Sequence, residues 1–216
     1  MIYKSLKRFL GKNFIFALGL GIVLVMSIAA LCAPLIAPYP PNIEHLNNIL
    51  EPPSINFICG TDRLGRDVFS RLLYGGRISL WVGFVAVGIS ISIGTFLGLV
   101  SGYFRKYVDE TIMRLVDVML CFPSFFLILA VIAFLEPSLA NIMVVIGLTS
   151  WMGVTRLVRA DTLSLRERDF IASARLAGCS TPRILFRHIL PNVLAPVLIT
   201  ATLGVAGAIL IESSLS

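Results

Sequence analysis

The chain has 216 residues, of which 57% are hydrophobic and only 14% charged, and it carries a net charge of +6. So little charge cannot cover a soluble domain of this length, which excludes a water-soluble globular fold. The positive balance does not point to nucleic acid, because the basic residues stand beside apolar runs, as membrane-topology signals do.

The N-terminal tail carries Lys4, Lys7, Arg8 and Lys12, and an apolar run follows over 14–37. That run is longer than the core of a secretory signal and long enough to cross ~30 Å of hydrocarbon. Leu31 precedes Cys32, so no lipoprotein cleavage site is formed, and the run is expected to be a retained first span. A proline-punctuated connection, 38–77, comes next (Pro38, Pro40, Pro41, Pro52, Pro53).

Within it, GTDRLGRDVFSRLLYGGRISL begins at Gly60. Its GxxxxG spacing mimics a phosphate-binding loop, but Arg66 and Asp67 stand where Lys and Ser/Thr are required, and the aspartate would repel phosphate. Read as a helix, Thr61 or Asp62 caps it, and Asp62–Arg66, Arg63–Asp67 and Asp67–Arg71 form i,i+4 pairs. Leu64, Val68, Phe69, Leu72 and Leu73 line one face. The expectation is an interfacial helix ending at Gly75-Gly76.

Four further spans are predicted at 78–103, 111–135, 140–158 and 192–214, the third and fourth joined by a short turn, Glu136-Pro137-Ser138-Leu139. Ala86, Ser90, Gly94, Gly98 and Gly102 recur every four residues in the second span. Such a stripe lets helix backbones approach closely in lipid, so Ser90, Gly94, Gly98 and Gly102 are expected to pack helices. Asp117 and Glu212 are ionisable groups at membrane depth, where charge faces protein or water. Both are candidate translocation-path residues. For Asp117 an ion pair with Arg114 near the inner interface is the favoured reading; for Glu212 a wet passage and a snorkelling side chain both stay open. Pro123 and Pro196 are candidate kinks.

Between the fourth and fifth spans lies DTLSLRERDFIASARLAGCSTPRILFRHILP, residues 161–191, with five arginines. Residues 166–177 read as a helix with Phe170, Ala174 and Ala177 (and Ile171) along one face. Gly178 suits a left-handed cap, Ser180 or Thr181 caps a second helix with Pro182 in its first turn, and Pro191 ends it. The small residues Ala172, Ser173 and Ala174 favour close packing on another protein over lying on lipid.

Most of the 18 basic residues sit in the tail, near 105–114 and in 156–190, so the positive-inside rule places the N-terminus in the cytoplasm. The four cysteines (Cys32, Cys59, Cys121, Cys179) then share no aqueous compartment, and no disulfide is expected. With His45 and His188 on opposite sides, no metal site is expected either. The sequence breaks off at an apolar edge after Glu212-Ser213-Ser214-Leu215-Ser216, which reads as a truncated C-terminus.

The hairpin resembles the EAA loop of ABC importer permeases. Ala172-Ser173-Ala174 stands at the Glu-Ala-Ala position, and Gly178 and Leu190-Pro191 match in place. The glutamate is absent; Glu167 or Asp169, a turn earlier, is its candidate substitute, and Ile189 is one position off. The run from Gly60 is similar to the corresponding segment of C-type permeases of the dipeptide/oligopeptide/nickel importer class. This resemblance implies an all-α polytopic fold, the type-I importer transmembrane domain, with five spans present and a sixth missing. It implies an N-terminal part over 1–75 and a core over 76–216, with the coupling hairpin at 161–191. It implies a non-catalytic bacterial inner-membrane subunit without cofactor, importing peptides or else nickel or its chelates. The implied partners are a second permease, two cytoplasmic ATP-binding subunits, an extracytoplasmic binding protein and lipid. Ala172, Ser173, Ala174, Gly178, Arg183, Leu190 and Pro191 would couple to the ATPase. An ATP-independent channel is the competing class; it would need a ring of polar residues deep in the spans. A membrane hydrolase lacks any HExxH or GxSxG.

Overall fold

A computed structural model describes residues 14–135 and 138–215, so the basic tail and the Glu136-Pro137 half of the predicted turn lie outside the described residues. The described chain is helical, with an isolated antiparallel bridge between Thr61 and Asp67. It divides into two compact units at Leu80/Trp81.

In the first unit, α1 (Phe14–Leu31) is apolar on every side but ends short of the expected span 14–37 and, among the described residues, is not one of the helices long enough to cross a membrane. A one-turn helix, α2 (Ala33–Ile36), follows with Pro34 in its first turn. The connection 38–67 is held by a cluster of Tyr39, His45 and Phe57, with ring centroids 5.1–5.4 Å apart.

The interfacial helix expected from Thr61 is not formed. Residues 61–67 make a tight turn instead. The Asp62 carboxylate accepts the amides of Leu64 (2.8 Å) and Arg66 (3.0 Å), the Arg66 Nε (2.9 Å) and Arg71 Nη1 (3.1 Å). A carboxylate that satisfies its own following amides competes directly with the helix. Gly65 (φ +73°) occupies the left-handed region with the His45 backbone against its missing Cβ position, so no other residue fits. Arg71 therefore pairs with Asp62, not Asp67. Asp67 is the true cap: its Oδ2 accepts the Ser70 amide (2.8 Å) and hydroxyl (2.6 Å). From there α3 (Val68–Phe104) runs 37 residues, straight through Gly75-Gly76. The glycine pair costs about 1 kcal/mol per residue in propensity. Gly76 gains close packing in return, its missing Cβ position 3.7 Å from the Ala30 Cβ.

Burial raises the Asp62 pKa, but the Arg66 and Leu64 amides and the Arg66 guanidinium more than offset this, and its pKa lies below the ordinary carboxylate value. A lowered folded pKa contributes stability above about pH 4 that is lost as pH falls through the folded value. In limited proteolysis with pepsin, Asp62→Asn should be cut at 60–67 faster than wild type near pH 4. The two rates should converge toward pH 2.

In the second unit, α3 continues to Phe104 and is followed by α4 (Lys106–Leu120) and α5 (Ser124–Ala133). These two meet at 81°, so the predicted span 111–135 is a bent pair, broken at Cys121-Phe122-Pro123. Proline bars its predecessor from the helical region, which accounts for the break. Then come α6 (Leu139–Leu148) and α7 (Trp151–Arg166), which together make a 28-residue apolar stretch. The hairpin helix α8 (Asp169–Leu176) precedes α9 (Thr181–Leu215), 35 residues long. Among the described residues, α3, α6–α7 and α9 are long and apolar enough to cross a membrane, and the α4–α5 pair makes a fourth if it counts as one span.

Pro191 does not end the hairpin. Residues Ile184–Ile189 widen into a π turn, with the Leu190 amide donating to the Leu185 carbonyl. The wider turn relieves the clash that a proline ring makes with the carbonyl four residues earlier. Pro196 also lies within α9, which runs on without a break, and the Thr200 hydroxyl donates to its carbonyl (3.0 Å).

Candidate functional site

The hairpin is anchored by a buried core. Ile171 and Ala174 of α8 and Ile184, Ile189 and Val193 of α9 pack with Val158 of α7. The buried stripe of α8 is thus Ile171/Ala174; Phe170 and Ala177, expected beside them, are exposed. Ala172, Ser173, Gly178, Arg183 and Pro191 lie on the surface, whereas Ala174 is buried and Leu190 half-buried.

Gly178 has φ +75° and closes α8: its amide donates to the Arg175 carbonyl (3.0 Å) and the Cys179 amide to the Ala174 carbonyl (3.1 Å). This is the left-handed cap that turns the chain into α9. Around it, Leu176 is 90% exposed, with Phe170 and Phe186 also exposed. No apolar periodicity marks Leu176 and Phe186; their signal is that neither fits the buried face of its helix.

The C-terminal end of α3 grips the hairpin. Arg105 Nη2 pairs with Glu167 Oε1 at 2.6 Å, so Glu167 is already engaged within the chain. Arg166 donates to the Tyr103 carbonyl, and the Arg166 and Arg175 guanidinium carbons stand 5.6 and 5.2 Å from the Tyr103 ring centre. Each such stacking is worth ~0.5–1 kcal/mol at an exposed site. Arg105 (φ +54°) and Lys106 (φ +49°) form the turn into α4, an unusual pair of non-glycine residues in the left-handed region.

Gly94, Gly98 and Gly102 lie directly against α7. A Cβ on them would stand 2.6–2.7 Å from the Cβ atoms of Val154, Val158 and Thr162, and 2.8–2.9 Å from the carbonyls of Trp151, Thr155 and Arg159. Three contacts repeat at the same four-residue step on both helices, which fixes their register. Ser90 is buried on the same stripe. Near it a cleft of about 200 Å³ is lined by Ala86, Ser90, Ile146, Ser150, Thr200 and Gly204 among others.

The structure brings neither Asp117 nor Glu212 to that cleft. Asp117 pairs with Arg156 of α7, and Arg114 pairs instead with Glu110 (3.2 Å), correcting the expected Asp117–Arg114 pair. The reason is geometric: α7 packs along α4 and presents its arginines to it. One turn-pair away, Asp109 holds Arg159 through two bonds (2.5 and 2.7 Å) and accepts the Ser101 hydroxyl (2.5 Å). Glu212 is 8% exposed on α9, one turn beyond the buried Ala208. It does not snorkel.

Residues 94–216, which hold the stripe's three glycines, the α4–α7 charge pairs and the hairpin, match the model of the family described as binding-protein-dependent transport system inner membrane component. The chain belongs to this family. Residues 5–53 of this permease also match the N-terminal transmembrane domain of oligopeptide transport permease C. It is 42% identical over 213 residues to a dipeptide transport system permease protein of Alkalihalophilus pseudofirmus, covering 99% of this chain and 69% of the relative. It is 40% identical over 199 residues to the dipeptide transport system permease protein of Haemophilus influenzae (89% and 68% covered). It is 34% identical over 205 residues to the oligopeptide transport system permease protein of Bacillus subtilis (95% and 67% covered). The permease is thus a multi-pass, all-α membrane protein of the transport family that its sequence resembles.

Proposed function

We propose that this permease forms half of the translocation path of an ATP-driven peptide importer, and that ATPase closure reaches it through the hairpin at 166–190. In this reading the N-terminus is cytoplasmic and the subunit itself is non-catalytic. Residues 76–216 make the transmembrane core and 1–75 an N-terminal extension. A homologous permease, two ATP-binding subunits and an extracytoplasmic binding protein complete the machine.

The observation that carries the reading is the apolar knob formed by Leu176 at the tip of the hairpin, with Phe170 and Phe186 also exposed on it, above a buried base that continues into α9. A large apolar side chain held in the open on a rigid element suits a protein contact. With Ala172, Ser173 and Arg183 also exposed on the hairpin, the knob suits a cleft on an ATPase. The dipeptide and oligopeptide names of the relatives favour peptides over nickel or its chelates. A pore without ATP would leave the knob with no role.

The test is a disulfide cross-link. Leu176→Cys, in a background with the native cysteines replaced, should join a cysteine series on the co-expressed ATPase, and ATP should change its yield. No cross-link to either ATPase subunit would overturn the proposal. Uptake of a labelled dipeptide against labelled nickel decides the substrate.

A further inference from the structure

Two Asp–Arg pairs join α4 to α7, and they are built differently. Asp109 and Arg159 are 16% and 31% exposed and share two hydrogen bonds, with Ser101 taking part of what remains. That pair is a structural clamp. Asp117 and Arg156 are 60% and 52% exposed and share a single bond, Arg156 Nη2 to Asp117 Oδ1. Both side chains are thus more than half exposed.

Both residues lie in candidate spans, where charge turned toward lipid is costly. Around Asp117 the exposed surface of α4 is mixed, with Leu115, Val118 and Leu120 bordering a polar stripe. Gly153 and Ala160 flank Arg156 along α7, and Glu110 and Arg114 continue the exposed polar face of α4. The exposed face of α9, by contrast, offers Leu194, Leu198, Ile199, Leu203 and Leu210. The α9 face is uniformly apolar, as lipid requires, whereas the polar stripe of α4 with Arg156 is better placed against water or solute.

Resting on the peptide-import reading above, we propose that Asp117 and Arg156 form a contact station for zwitterionic peptides in the path. Asp117 receives the peptide ammonium and Arg156 its carboxylate, which suits the planar two-pronged geometry of a guanidinium. The exchange replaces one ion pair with two and leaves the net charge unchanged. Because it consumes an existing pair, binding stays weak enough for release, as a conducting path requires.

The test uses the assembled transporter in proteoliposomes with Ala-Ala as the probe. Wild-type uptake of Ala-Ala comes first; its absence would refute the import reading itself. Given wild-type uptake, the double variant Asp117→Asn/Arg156→Gln, which keeps a neutral hydrogen bond, should lower peptide imported per ATP at least tenfold. Its ATPase rate, stimulated by the loaded binding protein, should persist. An unchanged ratio would overturn the station. Independently, Asp117→Cys, in a background with Cys59 and Cys121 replaced, should react with a membrane-impermeant thiosulfonate and be shielded by Ala-Ala during turnover. Labelling in the isolated subunit but not in the assembled complex would place this face against the second permease and overturn the proposal.

Discussion

Gly178→Val should abolish uptake while leaving membrane insertion and the ATPase intact. The position has φ +75° and nothing within 4 Å of a Cβ, so the penalty is in the backbone and not in crowding. A left-handed conformation costs roughly 1–2 kcal/mol for an ordinary L-residue, and a β-branched one is worse placed. The chain relieves that strain by leaving the cap, which breaks the bonds from Gly178 to Arg175 and from Cys179 to Ala174. The knob then loses its fixed angle to α9. Gly178→Asn, whose side chain tolerates the left-handed region, should retain most of the uptake; Gly178→Asp should fall between, since it adds a negative charge to an arginine-rich surface. Transport in inverted vesicles with ATP hydrolysis measured alongside decides it. Normal uptake by the valine variant would remove Gly178 from the coupling path.

The second large effect is expected at Gly98. A Cβ there meets the Val158 Cβ at 2.7 Å and the Thr155 carbonyl at 2.8 Å, and Val158 is fully buried with no room to retreat. Gly98→Ala should cost about 1–3 kcal/mol by overpacking, and Gly98→Leu more, since α3 and α7 must then separate. Gly153, on the open side of α7, has nothing within 4 Å of its missing Cβ. Gly153→Ala should therefore be neutral or slightly stabilising through helix propensity. Thermal unfolding in detergent, read through the exposure of buried thiols such as an engineered Val158→Cys, separates the two. Equal melting of Gly98→Ala and Gly153→Ala would mean that the helices are not in van der Waals contact at this register.

What could be read from the residues alone follows from physics that acts over short range. Apolar runs reveal spans because lipid demands them over a fixed length. The stripe from Ala86 to Gly102 keeps helical phase, and Gly178 sits before a capping Ser-Thr-Pro, so both were legible. The turn at 61–67 was misread because Asp62 offers the same i,i+4 spacing to Arg66 in a helix and in a turn; only its bonds to the Leu64 and Arg66 amides decide between them. Proline at 191 looked like a stop because the π turn that accommodates it has no compositional mark. The partners of Asp117 and Glu167 lie 39 and 62 residues away, and no periodicity connects such distant positions.

The unbroken course of α9 has a mechanical consequence. At about 1.5 Å per residue, its 35 residues make a lever some 50 Å long, with one end in the arginine-rich elbow and the other on the stretch that carries Glu212. A lever without a joint cannot absorb a push; it must swing or twist as a whole. The π turn before Pro191 and the missing amide at Pro196 loosen its ladder without breaking it. A small displacement at Thr181 is therefore carried along the helix to the stretch that holds Glu212.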